Sequence, residues 1–115
     1  MNNNNKKYQS KSPIILKSGS TDLRRQEKSL IELVNNNYPD GIVRNTLYAF
    51  SNKKNTTLKI VKVNYDNSTI MIKFKREEPF SWIEYKEKGT EGYTVELRGK
   101  EKEQFLEDIG LPENL

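Results

Sequence analysis

Two β-rich runs separated by a turn signal constrain this 115-residue chain more than any other feature. Residues 58–65 and 69–75 are rich in β-branched and aromatic side chains, and Asp66-Asn67 between them is a favoured hairpin turn pair. In the second run Ile70, Ile72 and Phe74 face one way and Met71, Lys73 and Lys75 the other. The apolar positions of the first run, in contrast, change phase. The first run therefore predicts either a bulge or a strand that is buried on both faces.

Periodicity and turn residues predict the other elements. Helical spacing of apolar residues predicts a helix over 22–37, with a cap at Ser20, Thr21 or Asp22, and another over 100–109 that ends at Gly110. Strands are predicted over 80–86 and 93–98. Together these elements predict an α+β domain in which a four-stranded antiparallel meander carries both helices on one face.

The segment 42–50 fits either a short helix or a strand, and we favour the helix. As a helix, it could complete a helix-turn-helix in which 42–51 presents Arg44, Asn45 and Tyr48 to a major groove and the hairpin acts as a wing. This alternative is weak, because the segment is short and β-branched at its start.

The first 20 residues contain four Lys and no acid, and they predict a flexible basic arm ahead of a single domain over 21–115. The arm has one apolar cluster, Ile14-Ile15-Leu16. This cluster could add a short strand to the edge of a sheet or insert into a partner.

Acidic and basic residues are segregated along the chain. Residues 1–76 contain 15 Lys or Arg and 5 Asp or Glu, and residues 77–115 contain 5 and 11. The formal net charge of +4 therefore hides a dipolar molecule. Such a distribution is typical of a protein that binds a polyanion through its basic part.

Composition excludes several kinds of chemistry. The chain has no Cys and no His, so it lacks thiolate nucleophiles, the commonest zinc ligands and the usual acid–base residue near neutral pH. No apolar run is long enough to span a membrane, and no signal peptide is evident. We expect a cytoplasmic protein without a metal, a cofactor or catalytic residues. Its Asn-, Lys- and Ile-rich composition is typical of low-GC coding sequence, which indicates a low-GC bacterium, its phage or a mobile element as the source.

The main functional hypothesis is a non-enzymatic nucleic-acid-binding module of low sequence preference. Cations would contact phosphates, and exposed tyrosines would stack on bases. The predicted contact residues are Lys6, Lys7, Lys11, Lys17, Arg24, Arg25, Lys28, Arg44, Lys59, Tyr65, Lys73, Lys75, Arg76 and Tyr85, with Lys53, Lys54 and Lys62 in the wider basic set.

Two further functions are open. A small regulator or inhibitor could bind a partner protein through Ile14–Leu16 and the acidic C-terminal part. Whatever the function, the chain is expected as a monomer or as a homodimer that pairs through a sheet edge. A Mg²⁺-dependent nuclease could use Glu84 and Lys86, with Asp66 and Glu32 as further ligands. The nuclease pattern is weak, because Glu and Lys are common throughout the chain.

Overall fold

The computed structural model describes residues 12–17, 19–80 and 94–111. They form five strands and two helices, in chain order β1 (Ile14–Lys17), α1 (Glu27–Asn37), β2 (Leu47–Ser51), β3 (Thr57–Val63), β4 (Thr69–Lys75), β5 (Thr94–Leu97) and α2 (Gly99–Ile109). In these described residues, neither helix is long and apolar enough to cross a membrane.

The strands form one mixed sheet in the order β4-β3-β2-β1-β5. Strands β1 and β2 are parallel neighbours connected through α1, and the other neighbouring pairs are antiparallel. The α+β class is confirmed. The observed sheet differs from the expected four-stranded meander because two segments form strands in its interior. They are Ile14–Lys17 of the predicted flexible arm and Leu47–Ser51 of the segment in which a short helix is favoured.

The two helices cover opposite faces of the sheet, which corrects the expectation that they share one face. Along β2, Tyr48 and Phe50 pack with Leu30 and Val34 of α1. The alternate residues Leu47 and Ala49 pack in a second cluster with α2, which contributes Phe105, Leu106 and Ile109. Because successive side chains of a strand point to opposite faces, each helix has its own core.

The hairpin is confirmed. Strands β3 and β4 pair from Thr57 opposite Lys75 to Val63 opposite Thr69. All seven residues of β3 are buried, so the phase change in the sequence reflects a strand covered on both faces rather than a bulge. The turn contains Asn67 with φ of 70°, a left-handed conformation that Asn tolerates better than most residues.

Residues 42–50 do not form a helix. A turn in which the Thr46 amide donates to the Val43 carbonyl, together with a positive φ at Asn45, ends any helical path before β2 begins. The helix-turn-helix alternative is therefore wrong, and Tyr48, its proposed groove-reading residue, is fully buried.

Helix α1 begins at Glu27, five residues later than predicted. The Asp22 carboxylate accepts hydrogen bonds from the backbone and guanidinium of Arg24, which holds residues 22–25 in a turn. Gln26 occupies the N-cap position without a side-chain capping bond. The competing local hydrogen bonds of Asp22 thus replace the predicted first turn of the helix.

The C-terminal predictions agree with the structure where it is described. Strand β5 lies within the predicted 93–98. The last residue of α2 is Ile109, and the predicted stop Gly110 follows as a left-handed cap with φ of 81°. The predicted strand over 80–86 lies outside the described residues except for Phe80.

A candidate nucleic-acid interface

An open groove of about 650 Å³ lies between the segment before α1 and the β3–β4 hairpin. Its described lining residues are Asp22, Leu23, Arg24, Gln26, Asn52, Thr57, Lys59 and Lys73. Strand register explains why the hairpin reaches this site: Phe50 lies opposite Lys59, which lies opposite Lys73, and Phe50 belongs to the core under α1. Lys73 therefore projects from the face of the sheet that α1 covers.

Several exposed cations lie close in sequence to the residues that line this groove. Lys75 lies two positions beyond Lys73 on the same face of β4, and Lys53 and Lys54 follow the lining residue Asn52 in the β2–β3 turn. Arg25 and Lys28 flank the lining residue Gln26 at the start of α1. We call this set of six exposed residues the basic face: Arg25, Lys28, Lys53, Lys54, Lys73 and Lys75.

Lys59 is not available as a surface cation. Only 5% of the residue is exposed, and its ammonium group donates a hydrogen bond of 2.8 Å to the carbonyl of Arg25. Its predicted role as a phosphate contact is therefore corrected to a structural one. It holds the segment before α1 against the sheet and so shapes the floor of the groove.

Arg24 lines the groove but carries its own counterion. Its guanidinium lies 2.7 Å from the Asp22 carboxylate, and these hydrogen bonds hold the pKa of Asp22 well below its usual range. Arg25 is exposed, and its guanidinium donates to the Ser29 hydroxyl at 2.7 Å. Of the two arginines, Arg24 is paired with a carboxylate and Arg25 with a neutral hydroxyl, so Arg25 is the better candidate to bind an external anion.

Arg76 makes several contacts with other residues of the chain. Its guanidinium stacks on the Phe80 ring, 3.9 Å from the centroid, and donates to the Pro79 carbonyl and the Asp108 carboxylate. The contact with Asp108 links the segment after β4 to α2. The structure therefore assigns Arg76 to the fold rather than to the basic face.

The other predicted contacts do not converge on the groove. Arg44 donates a hydrogen bond of 2.9 Å to Asn67 in the hairpin turn, next to Tyr65, which is 75% exposed. This turn lies at the opposite end of the hairpin from Lys75. Lys17 ends β1, where its ammonium contacts the Ser20 carbonyl at 3.5 Å. Lys6, Lys7, Lys11 and Tyr85 lie outside the described residues.

Sequence reasoning missed the uncharged part of the groove. Gln26, Asn52 and Thr57 supply polar groups beside the cations. No local pattern marks these residues, because they come together only through the packing of α1 and the register of β3.

The opposite face of the sheet has the reverse charge. Helix α2 exposes Glu101, Glu103 and Glu107, whereas its Lys102 is buried and donates to the Ser12 carbonyl at 2.6 Å. For α2, the only part of the acidic region that the structure describes as a helix, the charge segregation of the sequence thus places acidic residues on the face opposite α1. The other proposed protein-binding element, Ile14–Leu16, cannot offer Ile14 or Leu16 to a partner, because both are fully buried in β1.

Within the described ranges, no group of three acidic side chains is close enough together to hold a metal ion. Asp66 accepts hydrogen bonds from the amide and hydroxyl of Ser68, and these lower the pKa of its carboxyl. Glu84 and Lys86, the centre of the nuclease hypothesis, lie outside the described residues.

Fold and surface together define a small α+β protein with a mixed sheet, one basic face and one acidic face. The family model described as IS66 Orf2 like protein matches residues 12–111, from before β1 to the residue that follows α2 and its cap. The chain belongs to this family, which links it to the IS66 transposable element and agrees with the expected mobile-element origin. No curated protein and no solved structure matches the chain.

Proposed function

We propose that this chain is a non-enzymatic accessory protein of an IS66 element that binds nucleic acid through its basic face. The observation that carries the proposal is a groove lined by the exposed Lys73, with the five other cations of the basic face exposed within two residues of its lining residues along the chain. These residues come from three separate segments: the start of α1, the β2–β3 turn and β4.

The chemistry of the groove favours phosphate over bases. Lysine ammonium groups attract phosphates as point charges, and the exposed Gln26 can supplement them with neutral hydrogen bonds. The exposed Tyr65 lies at the distant hairpin turn, so it does not supply a stacking platform within the groove. Contacts of this kind give affinity with little sequence preference.

Binding of labelled single- and double-stranded DNA and RNA, followed by fluorescence anisotropy at several salt concentrations, tests the proposal. For duplex DNA, the logarithm of the affinity falls as the logarithm of the salt concentration rises, and each phosphate contact makes this slope more negative by about 0.9. If most of the basic face contacts phosphates, raising the salt concentration from about 50 to 200 mM should therefore weaken binding by orders of magnitude.

Matched charge reversals locate the surface. Lys28→Glu and Lys73→Glu should each weaken binding and lower the salt slope by about 1 or more. Lys100→Glu makes the same change of charge on α2, on the other face of the sheet, and is the control. Equal losses in all three variants would indicate an effect of net charge alone and would contradict a localised interface.

A second candidate function is docking of a basic protein on α2. The exposed carboxylates of Glu101, Glu103 and Glu107 favour it. Absence of nucleic-acid binding at low salt, together with capture of a partner that is lost on Glu103→Lys, would support this alternative over the first.

A further inference from the structure

Strand β4 is an edge strand whose outer side has no strand partner among the described residues. It pairs with β3 along all seven positions and ends the sheet order on that side. An edge strand presents a row of backbone donors and acceptors that another strand can satisfy. The opposite edge, β5, is only four residues long.

The charges of β4 are unevenly placed. Lys73 and Lys75, the two lysines that would discourage pairing, lie in the second half of the strand, and Ile70, Met71 and Ile72 in the first half are only partly buried. Among the described residues, the first half of this edge therefore lacks the lysines that discourage pairing in its second half.

We propose that β4 pairs antiparallel with β4 of a second copy of this chain, with Ile72 opposite Ile72 at a two-fold axis normal to the sheet. The two sheets would then form one continuous sheet of ten strands. This inference concerns assembly, and it stands independently of whether the basic face binds nucleic acid.

Symmetry and charge select this register. A two-fold axis normal to the sheet keeps the same face of both copies on one side, so it must pass opposite a single residue of β4. An axis at Lys73 would place two lysines directly opposite, which is destabilising. An axis at Met71 would leave Lys75 opposite the hairpin turn. The axis at Ile72 pairs all seven residues of both strands.

The Ile72 register also brings opposite charges together. Lys75 of one copy lies opposite Thr69 of the other, and the Thr69 hydroxyl donates a hydrogen bond to the carboxylate of Glu27. Directly opposite side chains have Cβ atoms about 5 Å apart, so the Lys75 ammonium can reach this carboxylate. Lys73 lies opposite Met71, and Ile70 lies opposite Phe74. These pairs, with Ile72 opposite Ile72, cover the partly buried apolar residues of β4.

One consequence is a larger basic surface. The axis places α1 of both copies on the same side of the sheet, with the four lysines of the two β4 strands between them. Two basic faces thereby become one continuous surface across the dimer.

Cysteine cross-linking tests the register, because the chain contains no native Cys. Directly opposite residues have Cα atoms about 4.5 or 5.5 Å apart, within the range of a disulfide. The Ile72→Cys variant should form a disulfide-linked dimer under mild oxidation at least roughly tenfold faster than Tyr65→Cys, an exposed position outside β4. Mixing Thr69→Cys with Lys75→Cys should link the two variants to each other but neither to itself.

Sedimentation equilibrium of the unmodified full chain gives an independent reading. We expect a species of twice 13.5 kDa at high protein concentration. Lys75→Glu, which places a carboxylate opposite Glu27, should raise the dimer dissociation constant at least tenfold, and Lys100→Glu should leave it unchanged.

Three results would overturn the proposal. They are a chain that stays monomeric at every concentration, an Ile72→Cys variant that cross-links no faster than Tyr65→Cys, and a Met71→Cys variant that cross-links fastest, which would show a different register. Circular dichroism of each variant confirms that the fold is retained. Loss of nucleic-acid binding with an intact dimer would contradict the proposed function and leave this inference standing.

Discussion

The ammonium group of Lys59 lies 2.8 Å from the carbonyl oxygen of Arg25, a residue 34 positions earlier in the chain. This bond ties β3 to the segment that precedes α1. The buried Lys59 thereby fixes the position of Arg25, a residue of the basic face. The bond connects the stability of the fold with the geometry of the groove.

Replacing Lys59 with Met tests this connection. Lys59→Met keeps most of the buried side-chain volume but leaves the Arg25 carbonyl without its donor. We expect a loss of about 1–3 kcal/mol in the free energy of unfolding, measured by urea denaturation. Lys54→Met, at an exposed position of the β2–β3 turn, is the control and should change stability by less than about 0.5 kcal/mol. Equal stability of the two variants would contradict the structural role.

Gly41 and Gly99 form a matched pair for backbone strain. Both have a left-handed φ, 61° and 57°, so Ala at either position should cost about 1 kcal/mol or more. A Cβ at Gly41 would also lie 2.8 Å from the side-chain oxygen of Asn35, which accepts a hydrogen bond from the Ile42 amide, whereas Gly99 has open space. Thermal unfolding should therefore show a clearly larger loss for Gly41→Ala. A larger loss for Gly99→Ala would argue against the Asn35 contact.

Tyr38 and Tyr48 should respond differently to loss of their hydroxyls. Their rings lie 5.7 Å apart, and burial raises the pKa of both phenols. The Tyr48 hydroxyl accepts a hydrogen bond of 2.8 Å from the Val43 amide, while the buried Tyr38 hydroxyl has no partner among the described residues. We expect Tyr48→Phe to cost about 1–3 kcal/mol and Tyr38→Phe to be neutral or stabilising. Chemical denaturation of both variants in parallel decides this.

The Asp22 carboxyl should make a small contribution to acid stability. Its pKa in the folded chain lies below the ordinary value of 3.8 because of hydrogen bonds from Arg24. A depressed pKa stabilises the fold above 3.8, and this stabilisation is lost as pH falls through the folded pKa. Between about pH 6 and pH 2 the unmodified chain should therefore lose more stability than Asp22→Asn. The exposed position limits the difference, and an identical pH profile for both proteins would refute it.

Local signals predict the parts of the fold that local interactions determine. Asp66-Asn67 marks the hairpin, and Gly110 marks the end of α2, because turn and cap conformations depend on the residues that adopt them. Strand β1 is marked only by the apolar cluster Ile14-Ile15-Leu16, which does not indicate where in the sheet the strand pairs. Its four residues lie in a polar segment, and its place between β2 and β5 depends on pairing with distant parts of the chain.

The candidate site shows the same division. Charge counts predict a basic surface, and Lys73 and Lys75 are exposed as expected. The same counts cannot separate these residues from Lys59 or Arg76, whose side chains donate hydrogen bonds to other parts of the chain. That distinction depends on the covering of β3 by α1 and on the packing of α2 against the segment after β4, and neither is encoded in a short stretch of sequence.

The pairing of β1 with β5 bears on how the chain is made. Ile14 is opposite Leu97, 83 positions later, so a strand synthesised early must wait for one synthesised late. Closing so long a loop is slow, because its entropy cost precedes any gain from contacts. On the ribosome, the β2–β4 meander can fold first, while one side of β1 stays unpaired until the β5 segment emerges. During the interval between these two events, the unpaired edge of β1 leaves the nascent protein open to aggregation.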